Sequence, residues 1–181
     1  MKKLLISFLF IITALTVLTA GKPQDDAKPS RSEKKAAKRE IVKSAIESKS
    51  FAVEFERLYM YRYGMVNLIP RSNFIVIDGD KAYVSAAYMG RQRGFMPIAG
   101  IKLSGQPSYY KMEKNTSKGT YTIEMEVKGD NDIFHIRIII SENGNCNTTI
   151  SANMIDSVKY TGSLIPRKKK TKVPEPDAIR I

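Results

Sequence analysis

The chain has 181 residues, 43% of them hydrophobic, and 30 Lys and Arg against 18 Asp and Glu for a formal net charge of +12, a balance that excludes a wholly disordered chain and a polytopic membrane protein. One His and one Cys exclude an intrachain Cys/His zinc site and an intramolecular disulfide, and a Ser-His-Asp triad would have to use His135.

The chain begins with Lys2 and Lys3, then an uncharged, mostly apolar run from Leu4 to Ala20 that ends in small residues at Thr19-Ala20-Gly21. This is the pattern of a secretory signal peptide, read here as residues 1–21, with processing after Ala20 or Gly21. An apolar run of this length lies at the lower limit for spanning a bilayer. No Cys follows it, so a lipoprotein is not expected, and no later segment is long and apolar enough to span. The expected location is the periplasm or another exported compartment. Residues 22–29 carry Pro23 and Pro29 and read as a flexible linker.

Ser30-x-x-Glu33 is a capping-box pattern, and a helix is expected over 30–48. Ala37, Ile41, Val42, Ala45 and Ile46 share one face at helical spacing, a narrow apolar stripe suited to lying against a sheet. From Phe51 the period changes to two. Phe51, Val53 and Phe55 alternate with polar or small residues, and the apolar phase then moves to Leu58 and Met60, as a bulge would produce. Asn73–Ile77 and Lys81–Met89 flank Asp78-Gly79-Asp80 and read as a hairpin. Tyr121, Ile123, Met125 and Val127 alternate strictly, Gly129-Asp130-Asn131 turns the chain, and Phe134, Ile136, Ile138 and Ile140 continue the buried face. Asn143-Gly144-Asn145 turns into a strand over Cys146–Ala152, and Asp156–Ser163 forms the last strand. Eight or nine short strands imply a mainly β fold, α+β at the margin. The expected form is a curled antiparallel meander, sandwich or barrel-like, with one N-terminal helix packed on it and a single domain over 30–166. Residues 167–181 form a basic flexible tail.

Charge position bears on partners. Residues 22–43 hold eight basic and four acidic residues, the tail six and two, and the core 44–166 fourteen and twelve. A nucleic-acid groove needs a basic stripe fixed on a folded face, so no nucleic-acid partner is expected. The basic ends read as solvated spacers that can make weak contact with anionic surfaces.

Several segments together resemble an exported, uncharacterised bacterial family, the domain of unknown function family 4251. They are Glu47-Ser48-Lys49-Ser50-Phe51, Asn67-Leu68, Asp78-Gly79-Asp80, Tyr88-Met89-Gly90-Arg91, Gly100-Ile101-Lys102 and Val158-Lys159-Tyr160-Thr161-Gly162. The likeness covers roughly 38–167. Its most specific piece is the aromatic-x-Gly-Arg segment, where Met89 stands in place of the family's usual Phe, and Gly94-Phe95-Met96-Pro97 replaces the usual Pro-Tyr-Gly loop. The resemblance implies a β-rich exported domain and carries no reaction with it.

Residues that could carry chemistry are few. His135 alternates with Ile133 and Arg137, which reads as a solvent-facing residue rather than a catalytic one. The unpaired Cys146 reads as buried and inert, with an intermolecular bond as the other outcome. Asp78, Asp80, Asp130 and Asp132 have turn spacing without the longer acidic calcium-loop pattern. No cofactor or metal is expected. Tyr59, Tyr61 and Tyr63 share a strand phase, while Tyr88, Gly90, Arg91, Arg93 and Phe95 gather at a strand end. Tyr with Arg can stack on and hydrogen-bond a sugar or an anion, and glycine permits close approach. Tyr59, Tyr61, Tyr88, Gly90, Arg91, Arg93 and Phe95 are therefore the expected ligand-contacting set, beside the plainer reading of tyrosines packed with their hydroxyls reaching water. Two functions follow. One is a non-catalytic periplasmic or envelope module that binds an unknown small molecule or envelope component. The other is a hydrolase or isomerase using Glu124, Glu126 or His135, which stand in no recognisable catalytic pattern.

Overall fold

The structure is a computed structural model that describes residues 30–60, 64–91 and 100–167. The expected signal peptide, the linker and nearly all of the tail lie outside the described residues, as do Tyr61, Arg93 and Phe95.

Helix α1 spans Arg31–Glu47, with Ser30 in the cap position and Glu33 in the first turn, where a carboxylate complements the helix dipole. Only Val42, Ala45 and Ile46 are buried, while Ile41 is 52% exposed. The docked stripe is narrower than the periodicity suggested, because only the C-terminal half of the helix lies on the sheet, against β1 and β10. Lys49 takes a left-handed φ of 48° and ends the helix, and its carbonyl accepts from Gly79 N at 2.8 Å.

Ten strands follow: β1 Ser50–Met60, β2 Gly64–Asn67, β3 Phe74–Asp78, β4 Lys81–Ala87, β5 Gly100–Gly105, β6 Tyr109–Asn115, β7 Thr120–Lys128, β8 Ile133–Ser141, β9 Asn145–Ala152 and β10 Ile155–Pro166. They form one antiparallel sheet in the order β5-β4-β3-β1-β10-β9-β8-β7-β6, curled into a half-barrel. β2 joins β1 beyond the position of β3. The phase shift read in the sequence is real. Phe55 pairs with Gly162 and Arg57 with Thr161, which leaves Glu56 as the extra residue and turns both Phe55 and Leu58 inward. The Phe55 ring stacks on Tyr160 with centroids 4.5 Å apart.

The strongest sequence signal forms the expected hairpin with the expected buried face. Ile123 pairs with Ile138, Met125 with Ile136 and Val127 with Phe134, all on the buried face. The positive-φ glycines Gly79 and Gly144 make the hairpin turns where the turn sequences placed them. The sequence did not reveal β2, β5 or β6. β5 and β6 are the two ends of the sheet, yet they are neighbours in sequence, joined by Gln106–Ser108. One stretch of chain thus pairs with β4 in its first half and with β7 in its second. β5 also touches β7, and Leu103 meets Phe134 beside Gly129, which draws the ends of the sheet together.

Among the described residues the concave side of the sheet carries the core. Phe51, Phe55, Leu58, Ile75, Ile101, Ile123, Ile138 and Tyr160 are 0–1% exposed. At one end α1 reaches the β8–β9 turn, where Arg39 Nε meets Glu142 Oε2 at 2.8 Å. The opposite end carries the β7–β8 and β9–β10 turns and the end of β4.

Candidate functional site

The end of β4 is fixed from three sides. Buried Asn73 accepts the Ala87 N–H through Oδ1 at 2.7 Å, and the Tyr160 hydroxyl donates to the Ala87 carbonyl at 2.8 Å. With Ala87 held, β4 stops there rather than running to Met89, and Tyr88 turns into the core at 5% exposure. Its hydroxyl donates to the Arg91 carbonyl and accepts from Asp156 N at 3.0 Å; Asp156 N also reaches the Arg91 carbonyl at 3.1 Å. The Tyr88 ring therefore folds back beneath its own chain. Gly90 is the consequence, because a Cβ there would lie 2.6 Å from Tyr88 Cζ. In the aromatic-x-Gly-Arg segment the aromatic is the tether, the glycine makes room for it, and the arginine contributes its carbonyl while standing exposed.

A second clasp holds the neighbouring turns. Asp132 Oδ1 accepts from Ile133 N at 2.8 Å and Asn153 Nδ2 at 3.0 Å, and Oδ2 accepts from Met154 N at 2.8 Å. Burial pushes this carboxyl upward, but the N–H groups of Met154, Ile133 and Asn153 outweigh it and hold it below the usual aspartate range. Burial, and then Tyr88, raise the Tyr160 hydroxyl far above its ordinary value, so it remains a neutral donor. The two clasps bring Met89, Arg91, Ile133 and Met154 to one rim, with the three apolar side chains 44–50% exposed.

Of the expected ligand-contacting residues, the structure brings Tyr88, Gly90 and Arg91 together. Tyr59 is 40% exposed on the outer face of β1, opposite Lys159 and Met65. Asp156, Tyr160 and Asp132 organise the rim; Tyr160 lies in a segment of the family resemblance and Asp132 among the turn aspartates, but the sequence places neither at this site, and Asp156 carries no signal beyond strand composition. Glu126 lies 3.1 Å from His135 Nδ1 and Glu124 lies 3.4 Å from Arg137 Nε, both pairs on the outer face of the β7–β8 sheet. Cys146 is buried, and burial, with Glu56 adding to it, pushes its thiol up to about 12. Among the described residues no group of three or more His, Cys, Asp or Glu is placed to hold a metal ion, and no helix is long and apolar enough to cross a membrane.

The β-rich body has a counterpart of known structure. The chain is similar to a crystallised DUF4251 family protein from Bacteroides eggerthii, with a TM-score of 0.59 and 21% identity over 73% of this chain and 91% of that one. At that identity the likeness speaks for the fold. Comparison with curated proteins gives no match. The family model for DUF4251, a domain of unknown function, matches residues 33–164, from the third residue of α1 to the third residue from the end of β10. The chain belongs to the DUF4251 family.

Proposed function

We propose that the protein is an exported, non-catalytic module of the periplasm or envelope that binds a partner through the rim carrying Met89, Arg91, Ile133 and Met154. The observation that carries this reading is the contrast between a filled interior and a rim of half-exposed apolar side chains around an exposed arginine. Among the described residues the concave side of the half-barrel is lined by closely packed side chains, which favours a surface contact over an enclosed ligand. A fixed apolar patch with a cation beside it suits the surface of another envelope component. Export rests on the Lys2-Lys3 n-region and the apolar run that follows it. The Lys-rich tail adds a weak attraction to anionic surfaces.

Two measurements test the proposal. In a Gram-negative host the protein is expected in the soluble periplasmic fraction without its first 20 or 21 residues; an intact Met1 in the membrane pellet refutes export. A photo-crosslinking residue at position 89 or 154 is expected to give a discrete adduct in the native host. One at Thr149, on the outer face, gives none, and Arg91→Ala weakens the adduct without lowering the melting temperature. Loss of stability in Arg91→Ala, or no adduct from either rim position, removes the binding reading.

A further inference from the structure

The edge strand β6 has a property that its exposure alone does not explain. It lies at one end of the sheet, where among the described residues β7 is its one hydrogen-bonded neighbour, and six of its seven residues are exposed. An open edge invites pairing with another strand, and the side chains along it decide which strand fits. We propose that β6 is a self-association edge, through which two copies pair antiparallel in register about Met112.

The sequence from Tyr109 to Asn115 is complementary to itself in that register. Lys111 comes opposite Glu113 of the second copy, twice by symmetry, and Tyr110 comes opposite Lys114 of the second copy, again twice. Sliding by one pair in either direction sets Lys111 against Lys111 or Glu113 against Glu113, so like charges exclude the adjacent same-face registers. The charge pattern also continues one already present on the outer face. Arg137 pairs with Glu124 at 3.4 Å, and Glu124 stands opposite Lys111 on the other side. Glu113 of the second copy supplies the next alternation. Within one chain Lys111 Nζ meets Glu113 Oε1 of its own strand at 2.7 Å.

The inner face agrees with the outer one. The core row Ile138–Ile123 is fully buried and runs out to Met112, which is 40% exposed. Pairing about Met112 closes that row against its own copy. Tyr110 stands beside it on the same face, its ring already held by Lys49 Nζ of its own chain at 4.7 Å from the centroid.

The test uses the protein purified from the soluble fraction. Sedimentation velocity is expected to show monomer passing to dimer as concentration rises. Lys111→Glu faces Glu113 with a like charge at both symmetric positions and is expected to weaken the dimer roughly tenfold. The double variant Lys111→Glu with Glu113→Lys restores opposite charges and recovers it. Met112→Cys, with the buried Cys146 left in place, is expected to give a disulfide-linked dimer under mild oxidation while the parent gives none. Circular dichroism checks that each variant keeps its fold. A parent that stays monomeric at the highest attainable concentration overturns the proposal. So does a dimer indifferent to Lys111→Glu, a double variant that fails to recover, or a Met112→Cys chain that does not cross-link.

Discussion

Gly162 lies where β10 crosses the bulge of β1, paired with Phe55 on one side and Cys146 on the other. A Cβ added there would stand 2.8 Å from the Glu54 carbonyl carbon, nearer still to its oxygen, and 3.0 Å from Phe55 Cα. All three are main-chain neighbours, so no side chain can rotate away. Gly162→Ala forces the two strands to part by about 1 Å in a close-packed wall. The separation costs about two ladder hydrogen bonds at ~1 kcal/mol each, and the Phe55–Tyr160 stack loses about 1 kcal/mol more. The stiffer unfolded chain of the alanine variant offsets about 0.5 kcal/mol. The net loss is about 2–4 kcal/mol, which lowers the melting midpoint of a domain of this size by roughly 10 °C. Gly105→Ala is the control, because nothing lies within 4 Å of its added Cβ. Thermal melts and guanidinium titrations of both variants give the comparison. A Gly162→Ala unfolding free energy within about 1 kcal/mol of the parent by linear extrapolation refutes the backbone-clash argument.

Ile136 is 2% exposed, and Ile136→Ala should cost about 2–5 kcal/mol by denaturant titration. Tyr88→Phe should cost about 1 kcal/mol, because Asp156 N keeps the Arg91 carbonyl as acceptor at 3.1 Å, while Arg91→Ala should leave the melting curve where it was. Asp132 is held below the usual aspartate range, so its stabilisation is present above the ordinary aspartate pKa and is lost as pH falls through its lowered folded value. An acid titration of stability should therefore show the parent and Asp132→Asn converging at low pH and separating at neutral pH. With its thiol pushed up to about 12, Cys146 should resist iodoacetamide at mildly alkaline pH in the folded protein and react once guanidinium unfolds it.

The sequence disclosed those parts of the fold in which neighbouring residues carry the signal. The alternation through 120–140 marked a hairpin and its buried face, and the shift from Phe55 to Leu58 marked a bulge before any partner strand was known. It was silent where the determinant is distant or the side chains face water. β6 has no apolar alternation because almost all of it is exposed, and β5 offers only Ile101 and Leu103. The helix stripe overreached at Ile41, since periodicity says which residues share a face but not how far a neighbour extends beneath it. At the rim, residue type drew attention to Tyr88, Gly90 and Arg91, but their parts in the turn depend on Asp156, sixty-eight residues from Tyr88 in sequence. No local pattern encodes that contact.

The pairing of β1 with β10 carries a consequence for how the molecule comes into being. Phe51 lies opposite Pro166, so a strand near the start of the fold finds its neighbour only when the other end of the domain has been delivered. A chain emerging amino-terminus first, from a ribosome or through a membrane pore, can close the β3–β4, β7–β8 and β8–β9 hairpins as they appear, while the inner edge of β1 waits. Until β10 arrives, Phe51, Val53 and Phe55 lack the wall that buries them, and the intermediate exposes an apolar strand edge of the kind that binds holdase chaperones or aggregates. The seam between β1 and β10 thus cannot close before the last strand is free.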